Sequence, residues 1–402
     1  MNRVVVTGIG VVSPIGSTRE KFWSGLIAAR SGIGPISVAS ADRLTTRIAA
    51  QVLDFDPSQH FDPKRENLLD RFSQFAVVAA RAAVRDAELD ITEEMALQAA
   101  TIVGNAAGGQ NSVDESYFKL YGQNSPRVHP LTIPRWMINA AVSQVSMDLG
   151  IKGPTYTIAS ACASGTHAIG HAFQLVRTGQ APIALAGGTE SCLTVGTIKC
   201  WEALRVLSAD TCRPFSKTRS GLVLGEGAAM VVLETRERAV ARGAPIYAEL
   251  LGFGMSADAG DIIAIDSDGA ARAMRAALVD AHVNPEDVDY VNAHGTGTAL
   301  NDRSETVALR KAFGASAERL AVSSSKGVLG HGLGAAGAFE FAATALALHT
   351  QTIPPTANFE EVDPDCDLDF VPNVARNATI QNAMSSSFAF GGLNAVLVLS
   401  RA

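Results

Sequence analysis

Short apolar runs closed by glycine turns alternate along this chain with longer stretches of helical periodicity. Residues 3–12, RVVVTGIGVV, read as a buried strand, and residues 19–29 as a helix ahead of the turn from Ser31 to Pro35. Residues 71–90 predict an amphipathic helix, with Phe72, Phe75, Ala76, Ala79, Ala80 and Ala83 at helical spacing; the alanines predict close packing against another element. A strand at 99–103 runs into the glycine-rich turn 104–109, which lacks the Lys-Ser/Thr ending of a phosphate loop. Residues 110–136 are polar, hold His129 and Pro130, and are expected to make a long excursion over the surface or across a subunit boundary. Within 155–179 a β-branched run, Tyr156 to Ile158, leads into small residues around Cys162 and then a helix from Ser164 that Gly179 can end. Strands follow at 181–188 and 228–233, the second after the run GLVLGEG at 221–227. Such alternation predicts α/β layers with parallel strands covered on both faces.

The second half echoes the first. IYAELLGFGMSAD, from Ile246, is similar to the opening strand and turn, and the strand 320–325, glycine turn 326–331 and alanine-rich helix 334–349 repeat the order of 155–179. Two units are expected, 1–245 and 246–402, as a duplicated fold with its site where two equivalent turns meet.

Composition narrows the class. The 402 residues are 47% hydrophobic and 18% charged with 36 glycines, which describes a globular chain able to bury a large core. The opening 16 residues are broken by glycines and reach Pro14 and Gly16, so they read as a strand and turn rather than a signal peptide, and no run is long enough to span a bilayer. A soluble, cytoplasmic location is the expectation. Cys162, Cys192, Cys200, Cys212 and Cys366 show neither metal-ligand spacing nor an even-numbered framework, so reduced thiols and no metal are expected. A net charge of −7 without a basic stripe argues against nucleic-acid binding.

Candidate chemistry starts at Cys162. A thiol at a helix start meets unpaired N–H groups and the positive dipole end, which lower its pKa and favour a nucleophile; a packed core cysteine remains the alternative. Three other segments offer reactive groups: YVNAHGTGT at 290–298, KGVLGH at 326–331, and the near-terminal glycine loop SSSFAFGGLN at 385–394, ahead of a strand at 395–399. Each alone has an ordinary structural explanation. Together a thiol, two histidines, a lysine and a loop with spare N–H donors are the parts of thioester acyl transfer.

ACASG at 161–165, NAHGTGT at 292–298, SSSKGVLGHGLGAAGA at 323–338 and SFAFGGLN at 387–394 closely resemble the β-ketoacyl-[acyl carrier protein] synthases of the elongating type, and the resemblance runs over essentially the whole chain. It implies a thiolase-like fold, two αβ halves in a five-layered α-β-α-β-α sandwich, and a homodimer, with a heterodimer of related subunits also open. It implies that Cys162 accepts the acyl chain and that His294 and His331 bind the malonyl thioester carbonyl for decarboxylation. Lys326 would support the histidines with Glu340 as its partner. The N–H groups of Cys162 and Phe390 would form the oxyanion hole, Thr296 and Thr298 would hold the phosphopantetheine arm, and Phe388 would gate Cys162. Substrates would arrive on acyl carrier protein, with no other cofactor.

Departures bear on the substrate. Ala389 and Leu393 replace the family's usual glycine and threonine, Ser216 and Ser220 its aspartates, and Leu222 a phenylalanine. Gln110 and Asn111 are polar where the acyl pocket is commonly apolar, and Trp201 is expected to shorten a pocket; these changes put a long saturated acyl chain in doubt. Lys64, Arg65, Arg127 and Arg205 are candidates for an acidic carrier's docking patch. His167 and His171 share a helical face with Gln174 and read as structural. Two other readings stand beside condensation: a non-catalytic chain-length-shaping subunit, against which the retained Cys162, His294, His331 and Lys326 count, and a thiolase, which would need a second cysteine near the chain's end.

Overall fold

The computed structural model describes residues 1–38 and 40–402. In the first half, β1 (Val4–Val12), α1 (Arg71–Asp86), β2 (Ala100–Gly104), α2 (Ala140–Leu149), β3 (Thr155–Ile158), α3 (Ser164–Arg177), β4 (Ile183–Glu190), α4 (Val195–Leu204) and β5 (Gly227–Thr235) follow one another. The second half runs β6 (Ala248–Ala257), α5 (Ser267–Ala281), β7 (Tyr290–Asn292), α6 (Ala299–Phe313), β8 (Ala321–Ser323), α7 (Ala336–Thr350), β9 (Asn382–Ala389) and β10 (Leu393–Ser400).

The strands are ordered β1-β5-β4-β2-β3 in the first half and β6-β10-β9-β7-β8 in the second. Directions repeat as well: β1 with β5 and β5 with β4 are antiparallel, β4 with β2 and β2 with β3 parallel, and the second half copies this pair for pair. Val4 to Val6 pair antiparallel with Ala248 to Leu250 and join the halves into one ten-stranded sheet. The duplication reaches single residues. A Cβ at Gly8 or Gly10 of β1 would lie 2.2 or 2.0 Å from a carbonyl oxygen of α1, and at Gly252 or Gly254 of β6 2.5 or 2.3 Å from one of α5. Each outer helix therefore lies almost on its strand's backbone, as the alanine spacing of α1 predicts.

α1 and α2 pack on the outer face of the first half-sheet, α5 and α6 on the outer side of the second half, and α3 and α7 between the halves, touching strands of both. This is the five-layered arrangement. Burial explains the sequences: every position of β1 and β4 is buried, so they read as continuous apolar runs. α7 is buried from Ala336 to Leu348, and an alanine-rich helix with no polar face suits a layer covered on both sides. No helix among the described residues is long and apolar enough to cross a membrane.

Residues 110–136 hold two helices, Gln110–Tyr117 and Thr132–Trp136, and the first is anchored where Ser112 N–H donates 2.7 Å to the buried Asp70 carboxylate. Two expectations are corrected. Residues 326–331 are a one-turn helix, Lys326–Leu329, followed by Gly330 at φ +63. The segment 385–394 is mostly a hairpin between β9 and β10, leaving only Phe390, Gly391 and Gly392 in the turn. Its serines are buried strand residues, and small polar side chains in a closely packed strand hide the alternation that identifies one.

Candidate active site

The turns that open α3 and α7 meet in the central layer, each starting from a non-glycine residue in the left-handed region, Ala161 and Leu333, both at φ +48. Such residues need surroundings that hold them. Ala161–Ala163 is a short 3-10 segment that carries Cys162 and runs into α3, the Ala163 N–H donating to Ser160 O at 3.1 Å and the Ser164 N–H to Ala161 O. The connection from β8 to α7 is longer than that from β3 to α3, and the added residues carry Lys326 and His331. The GLVLGEG run holds His331: its N–H donates to Val223 O at 2.6 Å, and its carbonyl accepts from Gly225 N–H at 2.9 Å.

His331 Nε2 lies 3.1 Å from Cys162 Sγ, and His331 Nδ1 accepts the Leu333 N–H at 3.2 Å. The Lys326 ammonium, which can only donate, stands 3.3 Å from His294 Nδ1 and also bonds the His294 carbonyl and Glu340. Each Nδ1 therefore offers its lone pair to a fixed donor, and in the neutral ring Nε2 carries the proton. The rings are 5.4 Å apart, edge to face. Burial first, then the Lys326 charge, holds both imidazoles well below the usual histidine value, so they stay neutral. Cys162, His294 and His331 have ligand atoms within 4.8 Å of one another, as in a zinc site, yet the tautomers turn N–H groups rather than lone pairs inward.

The thiol departs from expectation. Burial pushes Cys162 up to about 12, against the Lys326 charge and the Phe390 N–H directed at it. The lowered pKa expected of a helix start is overturned because the burial of a sulfur anion outweighs the dipole.

Two carboxylates on α6 shape the NAHGTGT turn. Glu305 accepts the N–H groups of His294 and Gly295 at 2.8 and 2.7 Å, and Asp302 those of Thr296, Gly297 and Phe215 at 3.0, 3.2 and 2.6 Å. The motif reading passed over both, although they share the helical face of Leu309 and Ala312, a visible sign that α6 buries charge. Glu190, ending the otherwise apolar β4, was passed over too. It is fully buried and accepts from Asn105 Nδ2, Ala106 N–H and Gly334 N–H at 3.0, 3.0 and 3.1 Å.

A cavity of about 280 Å³ leads to the sulfur. Its lining includes Cys162, His294, His331, Thr296, Thr298, Phe388 and Phe390, so the predicted site residues converge there. The Thr296 and Thr298 hydroxyls are 2.9 Å apart on one wall, and the Phe388 ring lies edge-on to His294 at 6.0 Å. Trp201 lines the same cavity and stacks on Phe390 at 5.9 Å; Ser220 and Leu222 line it too. Gln110 and Asn111 do not: their amides donate to Ala107 O and to Ser191. Of the four basic docking candidates only Arg205 lines the cavity, and Arg65 faces Asp148 at 3.8 Å. His167 Nδ1 is taken by Ser160 Oγ and Ala163 O, and His171 packs on Phe253, both structural contacts.

Comparison with known proteins gives the same picture. Residues 1–239 match the family model "Beta-ketoacyl synthase, N-terminal domain", and residues 247–360 the corresponding C-terminal domain. Nodulation protein E of Rhizobium sp. (strain N33) is 46% identical, over 98% of both chains. The 3-oxoacyl-[acyl-carrier-protein] synthase 2 of Coxiella burnetii (strain RSA 493 / Nine Mile phase I) is 45% identical over 99% of this chain and 98% of the relative. The solved ishigamide ketosynthase/chain length factor superposes with a TM-score of 0.96 at 37% identity, covering 100% of this chain and 99% of that one. With its duplicated thiolase-like fold and a thiol facing two imidazoles, the chain is an acyltransferase and belongs to the β-ketoacyl synthase family.

Proposed function

We propose that the chain joins an acyl group to malonyl-[acyl carrier protein] by decarboxylating condensation, Cys162, His294, His331 and Lys326 forming its catalytic set. The observation that carries this reading is the pair of imidazoles whose Nδ1 atoms are occupied by donors, so that each offers an Nε2–H beside the thiol. In the first half-reaction Cys162 Sγ attacks the acyl thioester carbonyl, the oxyanion lies between the N–H groups of Cys162 and Phe390, and the carrier thiol leaves with the proton Cys162 gives up. In the second, His294 and His331 donate to the malonyl thioester carbonyl. Carbon dioxide departs, and the enolate carbon attacks the acyl carbonyl on Cys162, breaking the C–S bond to release the β-ketoacyl thioester and a Cys162 thiolate that takes a proton from water. Donors placed where the enolate charge develops supply the stabilisation, about 3 kcal/mol for one such group.

Lys326 keeps His294 in the donating tautomer, and Glu340 balances its charge. Thr296 and Thr298 hold the pantetheine arm, Phe388 gates the sulfur, and Arg205 at the mouth receives an acidic carrier. Carrier-borne phosphopantetheine is the only prosthetic group this chemistry calls on. The units divide between residues 245 and 246, and the working form is a cytoplasmic dimer whose interface uses the exposed Tyr117, Phe118, Tyr121, Ile133 and Met137 together with the edge strand β3.

The test is Cys162→Ala. It is expected to abolish condensation while malonyl-thioester decarboxylation stays measurable, and condensation at the parent rate would end the proposal.

A further inference from the structure

Glu190 takes no part in the chemistry above, yet it is a fully buried carboxylate, and among the described residues no cation pairs with it. All its contacts are N–H donors. Oε1 receives Asn105 Nδ2 at 3.0 Å, and Oε2 receives the N–H groups of Ala106 and Gly334 at 3.0 and 3.1 Å. Burial raises this carboxyl to about 7, against the N–H groups directed at it; a proton on it would meet no acceptor, so the contacts are those of a carboxylate. One side chain thus ties the end of β4, the turn after β2 and, from the other half of the molecule, the turn that opens α7.

Gly334 follows Leu333, whose N–H sets the proton position on His331. Leu333 is held at φ +48, and a branched residue stays there only under restraint. The restraint is close-fitting, since a Cβ on Gly334 would come within 2.8 Å of Glu190 Oε2 and 2.6 Å of Ala106 N. We propose that Glu190 is a positioning residue for His331: by holding the Gly334 N–H it keeps Leu333 donating to Nδ1, and so keeps the Nε2–H aimed at Cys162 and the substrate carbonyl. Glutamine cannot do the same. Asn105 is locked, its Nδ2 also donating to Thr189 O at 2.6 Å and its Oδ1 accepting the Gly108 N–H at 2.6 Å. A glutamine NH2 would therefore oppose a donor in either orientation.

The consequence for catalysis rests on the function proposed above, but the tautomer can be read without it. Glu190→Gln is made in the ring-¹⁵N-histidine-labelled protein, with His331 assigned by comparison with His331→Gln. The parent is expected to show an unprotonated Nδ1 and a protonated Nε2 at His331, and the variant a mixture of tautomers. In parallel, kcat for malonyl-thioester decarboxylation should fall about 10- to 100-fold with KM unchanged. Glu190→Asp keeps the charge but withdraws it by one methylene, and should shift the His331 signals partway; it also serves if Glu190→Gln does not fold. A folded variant with parent-like His331 signals overturns the positioning role. Shifted signals with no decarboxylation in the parent leave it standing and instead count against the proposed function.

Discussion

At the residue scale the site works by deciding where protons sit. His294 and His331 are useful as donors because burial and Lys326 keep them neutral and because each Nδ1 already has a partner. Protonating either ring would set Nδ1–H against the Leu333 N–H or the Lys326 ammonium. Since both pKa values are depressed, the neutral form persists as pH falls through the ordinary histidine value of about 6.5. Decarboxylation by Cys162→Ala should accordingly be flat from about pH 6 to 8, and a limb near 6.5 in its pH profile would contradict this picture. The Lys326 and Glu340 pair is buried almost completely. Lys326→Ala strands a carboxylate and should cost about 3–5 kcal/mol in urea unfolding, whereas Lys326→Met with Glu340→Leu should recover most of that stability without restoring decarboxylation. The motifs made Cys162, the histidines and Lys326 legible in the sequence. They did not make the thiol's pKa legible, because a dipole is a local property and desolvation belongs to the finished interior.

At the element scale, the active turns are registered by two helices that nearly touch. A Cβ on Gly337 of α7 would fall 2.0 Å from Thr166 Oγ1 and 2.8 Å from Thr166 N of α3, and one on Gly165 2.9 Å from Ala338 N. Backbone atoms cannot yield as a flexible side chain does, so the crossing sets how far Cys162 stands from the histidine turns. Gly337→Ala should lower stability by about 1–3 kcal/mol and lower condensation more than denaturant unfolding alone explains. A thermal scan beside a rate measurement checks this, and parent-like values in both would refute the close crossing. Elements with a clear signal could be read from the chain: the continuous apolar run of β1, the helical spacing of α1 and the alanine-rich run of α7. The hairpin of β9 and β10 could not, since Ser385, Ser386 and Ser387 imitate a loop in composition while lying buried in a strand.

At the scale of the whole molecule, two copies of one topology carry different turns, and the site exists only where they face each other. The exposed apolar side chains on the 110–136 segment give a direct test of the proposed dimer. Tyr121→Glu with Ile133→Glu should change the sedimenting species from twice the chain mass to one chain and reduce condensation; an unchanged mass would exclude this face as the interface. The chain itself determined the layered α/β class, the duplication and the chemistry-bearing turns, because period, glycine placement and motif are local and repeat visibly between the halves. Only the tertiary structure decided which nitrogen of each histidine carries the proton, which way the thiol's pKa moves, and that Glu190, Asp302 and Glu305 shape the site. Each of those depends on donors and burial supplied by segments far away in sequence, and no local pattern records them.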